Sequence, residues 1–170
     1  MGGACILGNI GPGGGLVFLI SGGLRYEMAP KTWGASETGD GIRWCSDWDS
    51  VVTGDAIGTG RANTTSMLTT AGLFAACTAS APNVARAYAG GGLTDWFLPS
   101  SGELEQMWLY SRVIGFNTAT YGFAAGQNYW SSSEWDVQRD HARGRFLGID
   151  GSTNATQKAT TENVRPIRAF

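Results

Sequence analysis

The residue types of a hydrolytic triad fall within one short stretch: Ser131, Ser132 and Ser133, the single histidine His141, and the carboxylates Asp136 and Asp140. Together they could do acyl-transfer chemistry, with a carboxylate orienting the imidazole that takes a serine proton. The spacing around the serines does not support it. The chain has no nucleophile elbow, since Gly34-Ala35-Ser36-Glu37-Thr38 lacks the closing glycine of Gly-x-Ser-x-Gly. Three serines beside aromatic strand residues read more simply as a packed, hydrogen-bonded corner.

The other chemistries the residue types suggest fare no better. Gly11-Pro12-Gly13-Gly14-Gly15 could pass for a phosphate cradle, but Leu16 stands where a dinucleotide fingerprint needs its third glycine, and a β-rich run follows where a helix is required. A Walker lysine motif occurs nowhere, so the glycines are read as a structural turn. One histidine and three unclustered cysteines leave no zinc site. Asp47 with Asp49, and Asp136 with Asp140, offer oxygen ligands of the kind calcium takes, yet neither pair lies in an EF-hand loop. They read as solvated loop carboxylates, and no cofactor or metal is expected.

Composition narrows the class further. With 170 residues the chain has the size of one domain able to sustain its own core. Hydrophobic residues make up 42% and charged residues only 15%, while 26 glycines and 7 tryptophans imply tight turns around aromatic anchors. Twelve basic residues against 14 acidic ones give no electrostatic footprint for nucleic acid. The longest apolar run, Leu16-Val17-Phe18-Leu19-Ile20, is far short of the ~20 residues a membrane helix needs. No membrane insertion is expected. Met1-Gly2-Gly3-Ala4-Cys5 carries neither a secretory pattern nor a myristoylation pattern, because Ile6 breaks the latter. Such a start also fits a tip domain cut from a longer fibre.

These features require elements to position them. Two strands joined at Ser21-Gly22-Gly23, over 16–20 and 24–28, form an opening hairpin, because paired glycines accept the positive φ of a tight turn. From Ala29 to Gly60 neither strand nor helix periodicity persists, and Trp33, Trp44 and Trp48 are expected to pin a long loop. Asn63-Thr64-Thr65-Ser66 ahead of Met67, Leu68 and Ala71 signals a helix start, and Val84, Ala85, Ala87 and Tyr88 mark a second helix that Gly90-Gly91-Gly92 stops. A third is placed from about 101 to 112, with Ser100 and Glu103 as its capping box and Leu104, Met107 and Trp108 on one side. Strands follow at 129–134, 142–149, near 153–158 and at 164–169, with a turn at Asp150-Gly151.

Several motifs occur in a distinctive order: Gly11-Pro12-Gly13-Gly14-Gly15-Leu16-Val17-Phe18, Ile57-Gly58-Thr59-Gly60-Arg61-Ala62-Asn63-Thr64, Asp95-Trp96-Phe97-Leu98-Pro99-Ser100, Asn128-Tyr129-Trp130-Ser131-Ser132-Ser133-Glu134-Trp135 and Asn163-Val164-Arg165-Pro166-Ile167-Arg168-Ala169-Phe170. In that order they resemble a bacterial and phage family with a C-type-lectin-like fold, related to the C-terminal domains of collagen-like bacterial adhesins. The resemblance covers nearly all of the chain. More distantly, it is similar to formylglycine-generating enzymes and to variable proteins diversified by retroelements. The enzymes depend on an active-site cysteine pair or copper thiolates, an arrangement that Cys5, Cys45 and Cys77 do not match. The resemblance implies a bridge between Cys45 and Cys77, which over about 31 intervening residues would contribute ~3–4 kcal/mol. The alternative is two reduced, buried cysteines of the kind common in cytosolic assembly. It also implies that Arg165 and Arg168 brace the fold through carboxylates or carbonyls, with Pro166 between them at a bulge or sheet edge.

Ligand contacts on scaffolds of this type come from the C-terminal part, here 135–154. Trp135, Asp136, Gln138, Arg139, Asp140 and His141 form a short polar and aromatic loop, and Arg143 and Arg145 share a strand face beyond it. Trp135 is the expected anchor, since an indole supplies rigid apolar area and one donor. Trp96, Trp108 and Trp130 are expected in the core. The family often carries an aromatic residue near Arg143, so the ligand is expected to be private to this chain. The expected fold is therefore α+β and C-type-lectin-like, with two or three short helices on antiparallel sheets and long Gly/Trp-rich loops, forming one domain over 1–170. The expected function is a non-enzymatic receptor-binding or adhesion tip of a phage tail fibre or bacterial surface fibre, outside the cell or on a virion tail. Its partners would be a cell-surface glycan or protein, an upstream fibre segment and, in a trimeric fibre, two further copies. The alternatives are a hydrolase or modifying enzyme using His141, and a structural cap or trimerisation knob.

Overall fold

The computed structural model describes residues 6–34, 37 and 40–170. The opening hairpin consists of β1 (Leu16–Ser21) and β2 (Leu24–Met28). Gly22 and Gly23, at φ 58° and 79°, make the turn, a combination that matches the twist of the flanking strands. After the long loop come β3 (Ile42–Arg43), α1 (Gly60–Met67), α2 (Ala81–Ala87), α3 (Ser101–Ser111) and α4 (Thr118–Tyr121). The chain ends with β4 (Asn128–Glu134), β5 (His141–Phe146), β6 (Thr153–Gln157), β7 (Thr161–Glu162) and β8 (Ile167–Ala169). The strands form three antiparallel sheets, ordered β1-β2-β8, β3-β7 and β4-β5-β6, so helices and antiparallel strands combine as α+β. Four α-helices occur among the described residues, one more than the expected maximum, because α4 is a single turn capped by the Asn117 side chain.

Strand alternation divides the core in two. Tyr129 and Phe97 join Leu16, Phe18, Met28, Leu104 and Ile167 in one apolar cluster, while their neighbours Trp130 and Leu98 join Trp44, Met67, Phe74 and Val164 in the other. The indoles of the long loop do pin it: Trp33 Nε1 donates to Val164 O at 3.0 Å and Trp44 Nε1 to Ser131 O at 2.7 Å. Trp48 does not, since its ring stands in solvent. Cys45 and Cys77 are disulfide-bonded with Cα atoms 5.0 Å apart, joining the long loop to the segment after α1. Cys5 and the rest of the N-terminal pattern lie outside the described residues.

The glycine cluster turns out to be a carboxylate nest. Gly13 N and Gly15 N each donate to the buried Glu27 carboxylate at 3.0 Å, and Arg168 Nη1 reaches the same group at 3.0 Å. A Cβ at Gly11 would fall 2.4 Å from Glu27 Oε2, which is why bulkier residues are excluded from the wrap. Arg168 also pairs with Asp95, and Arg165 is buried against Glu37 with its remaining donors on the carbonyls of Ala29, Tyr121 and Gly122. Both terminal arginines therefore brace the fold.

Three expectations about elements need correction. The last strand joins the sheet of the opening hairpin but is shorter than 164–169, because ahead of Ile167 the carbonyls of Val164 and Pro166 accept from Trp33 Nε1 and Ala29 N instead of from a strand neighbour. The first helix begins at Gly60 and ends at Met67, where the sequence signals suggested that a helix starts. Asn63 and Thr64 are not caps: buried inside α1, they crosslink to Gly54, Ser132 and Leu98. The strand expected over 142–149 stops at Phe146. The third helix agrees with expectation, and its capping box is present: Ser100 Oγ accepts from Glu103 N at 3.2 Å while Glu103 Oε2 accepts from Ser100 N at 2.7 Å.

Candidate recognition site

β4 and β5 are joined by a loop that closes on itself: Trp135 N donates to His141 O at 3.1 Å, Gln138 N to Trp135 O at 3.3 Å and His141 N to Gln138 O at 3.0 Å. Asp136, Gln138 and Arg139 project into solvent from it, and Trp135 is half-buried. Arg143, at the base, sits over the Trp135 ring, its guanidinium carbon 4.5 Å from the ring centroid. Two aspartates flank it, with Asp55 Oδ1 3.1 Å from Nε and Asp136 Oδ2 3.6 Å from Nη2. Nε sits off the hydrogen-bond axis, so the Asp55 contact is an ion pair without an aligned hydrogen bond. Arg139 pairs with Asp49 at 3.1 Å, and His141 Nδ1 lies 2.8 Å from Asp140 Oδ1. That hydrogen bond holds the Asp140 carboxyl below the usual aspartate range.

Arg145 does not belong to this surface. It shares a strand face with Arg143 as period-2 geometry requires, but it is only 8% exposed. Its Nη1 donates to Gly151 O, and Nη2 is 3.5 Å from Glu105 on α3. The helix and the turn after β5 cover that half of the face, so the expected exposed Arg143/Arg145 pair is corrected to Arg143 alone.

Beneath the loop lies a buried ion pair for which sequence reasoning had no signal. Lys158 is fully buried, its Nζ bonded to Glu134 Oε1 and, at 2.9 Å, to Asp49 O, and 4.9 Å from the Trp44 ring centroid. Glu134 Oε2 accepts from Val51 N at 3.2 Å, Glu134 N donates to Thr53 Oγ1 at 2.8 Å, and Lys158 N donates to Asp140 O at 2.8 Å. Burial pushes the Glu134 carboxyl upward and the Lys158 contact opposes it. Through this one pair, residues 49–53, the β4 end and the β5 start are fixed to one another.

The triad residue types do not assemble. Ser131 Oγ donates to Arg143 O at 2.7 Å, Ser133 Oγ to Gly54 O at 2.9 Å, and Ser132 Oγ accepts from Asn63 Nδ2 at 3.1 Å. All three serines are buried and serve as a hydrogen-bonded corner beneath the long loop. Among the described residues no three of His, Cys, Asp and Glu gather as a metal site. Asp47 accepts backbone N–H groups from Asp49 and Ala75 and so closes loops. Trp96 and Trp130 are fully buried, and Trp108 packs on the α3 side with Nε1 on Gly148 O at 3.0 Å. On that side Leu7, Phe18, Leu19, Ile20, Leu109 and Val113 line a mainly apolar groove of about 290 Å³, with Gln106 and Tyr110 completing its wall. No helix among the described residues is long and apolar enough to cross a membrane. Compared with protein-family models and with curated proteins, the chain matches none.

Proposed function

We propose that this chain is a C-type-lectin-like recognition domain, the non-enzymatic adhesion or receptor-binding tip of a phage tail fibre or bacterial surface fibre working outside the cell. The observation that carries the reading is the Trp135–Arg143 stack between Asp55 and Asp136. An aromatic ring and a guanidinium, the side chains richest in interface energy, are held at the surface by a buried lattice that leaves them little entropy to lose on binding. The disulfide between Cys45 and Cys77 supports a location in an oxidising compartment. The serine hydroxyls, each engaged within the corner, weigh for recognition over acyl transfer. An upstream fibre segment would meet the domain at the apolar groove between β1 and α3.

The test is attachment of the fluorescently labelled chain to a panel of intact bacterial cells, compared with the Trp135→Ala/Arg143→Ala double variant. The reading expects a cell type that the wild type coats, an unchanged thermal transition in the variant, and attachment at least ~10-fold weaker, as loss of an interface anchor gives. A folded variant that attaches as well as the wild type would move the site elsewhere. Turnover of an ester or glycoside, lost in His141→Ala, would replace recognition by catalysis.

A further inference from the structure

Resting on that adhesive reading, we infer that the partner is a protein whose surface offers apolar pockets bordered by lysine or arginine, and that four apolar loop tips beside the Trp135–Arg143 stack insert into it. Trp48, Val52, Leu73 and Val137 are 51%, 86%, 87% and 80% exposed. They stand on three loops that are fastened together. Asp47, next to Trp48, accepts from Ala75 N, two residues beyond Leu73. Asp49 pairs with Arg139, two residues beyond Val137. Val51 and Thr53, on either side of Val52, are both bonded to Glu134, the neighbour of Trp135.

Three of the tips are presented by closed turns, and Val52 is held by the bonds of its two neighbours to Glu134. Asp49 N donates to Asp47 Oδ1 across Trp48, Ala71 and Phe74 exchange backbone hydrogen bonds around Leu73 with Gly72 at φ 63°, and Gln138 N closes on Trp135 O around Val137. The disulfide from Cys45 to Cys77 clamps the first two loops at their base. Large apolar side chains held out on loops that are fastened to one another mark an interaction surface, because leaving them in water gains nothing and the loops that carry them are already tied before binding. The charges among them complete the description of the partner. Four carboxylates, Asp49, Asp55, Asp136 and Asp140, face two guanidiniums, Arg139 and Arg143, and the imidazole of His141. That acidic surplus is complementary to a basic rim and repelled by an anionic bilayer. A glycan needs converging polar groups around a free aromatic face, whereas three of the four tips are aliphatic and the Trp135 ring is covered by Arg143.

The experiment uses bacterial cells that the wild-type chain coats, before and after treatment of the cells with protease or with periodate, and phosphatidylcholine/phosphatidylglycerol vesicles in a sedimentation assay. Expected are loss of attachment on protease treatment, retention after periodate, no sedimentation with vesicles, and weaker attachment as salt rises. A Trp48→Ser/Val52→Ser/Leu73→Ser/Val137→Ser variant should keep the wild-type thermal transition and attach at least tenfold more weakly. Loss after periodate, retention after protease, binding to the vesicles, or full attachment by the folded quadruple variant overturns the inference. If attachment still depends on Trp135 and Arg143 in any of those cases, the adhesive reading survives without it. Attachment to no cell overturns both.

Discussion

Buried charge is handled in opposite ways on the two sides of the molecule. On the terminal side, Glu27 is wrapped by glycine N–H groups and Arg168, and Arg165 is wrapped by Glu37 and three carbonyls. These contacts turn inward, and those of Arg168 with Glu27 and of Arg165 with Glu37 and Ala29 join one end of the chain to the other. On the loop side, Lys158 and Glu134 form a similarly buried pair, but their remaining bonds go to the loops at Asp49, Val51, Thr53 and Asp140. Those loops then hold Arg139, Arg143 and Trp135 at the surface. The same device closes the fold on one side and stiffens an outward face on the other. An unpaired buried charge is costly on either side, so stability alone does not distinguish a brace from a support for recognition.

The largest effect that separates the two sides is expected from deleting residues 164–170. This removes β8, the buried Val164 and Ile167 and both bracing arginines, and leaves Glu27 and Glu37 without their cationic partners. The truncated chain should show no cooperative thermal transition. If it melted like the full chain, the terminal side would not be the closure described above.

Next in size is Lys158→Ala on the loop side. It strands the Glu134 carboxylate and should destabilise by about 3–5 kcal/mol in urea unfolding, while also weakening attachment of the molecules that remain folded. An equal loss of stability with attachment intact would show that the ion pair supports the core and not the loops.

A smaller effect concerns pH. Glu162 is buried in β7, where its Oε2 and Asn154 Oδ1 converge above Gly144 with no aligned donor for either. Burial raises the Glu162 carboxyl above the usual glutamate range, outweighing the contacts with Thr156 and Asn154. A group whose pKa is higher folded than unfolded binds more protons in the folded state. Its contribution is complete below the ordinary glutamate pKa and is lost as pH rises through the raised value. Glu162→Gln should match the wild type in acid and gain over it, by about 1–3 kcal/mol, as pH rises past that window. Parallel stability profiles for the two chains would place the charge elsewhere.

What could be read from the sequence follows this same division. Local signals succeeded: the paired glycines of the hairpin, the Ser100/Glu103 capping box and the recognition of Trp96 and Trp130 as core each depend on near neighbours. The bracing by Arg165 and Arg168 was implied by resemblance, and the carboxylates that receive them are far off in sequence. Lys158 and Glu134 meet only because β4, β5 and β6 are adjacent, and Asp55 reaches Arg143 only because Ser133 and Asn63 dock the long loop on β4. Asn63 and Thr64 misled for the same reason, since their cap-like side chains bond to other segments. Period 2 put Arg143 and Arg145 on one face, but it could not show that α3 and Gly151 cover half of it.

Those two arginines supply the most direct test of the recognition surface. Arg143→Ala and Arg145→Ala should be compared by thermal unfolding and by attachment to the same cells. Arg143 meets solvent and stacks on Trp135, so its loss should leave the transition within a few degrees of wild type and weaken attachment about tenfold or more. Arg145 is sealed under α3, so its loss should lower the transition markedly, and the fraction that stays folded should attach normally. Normal attachment by Arg143→Ala together with lost attachment by a stable Arg145→Ala would contradict the placement of the recognition surface at the Trp135 loop.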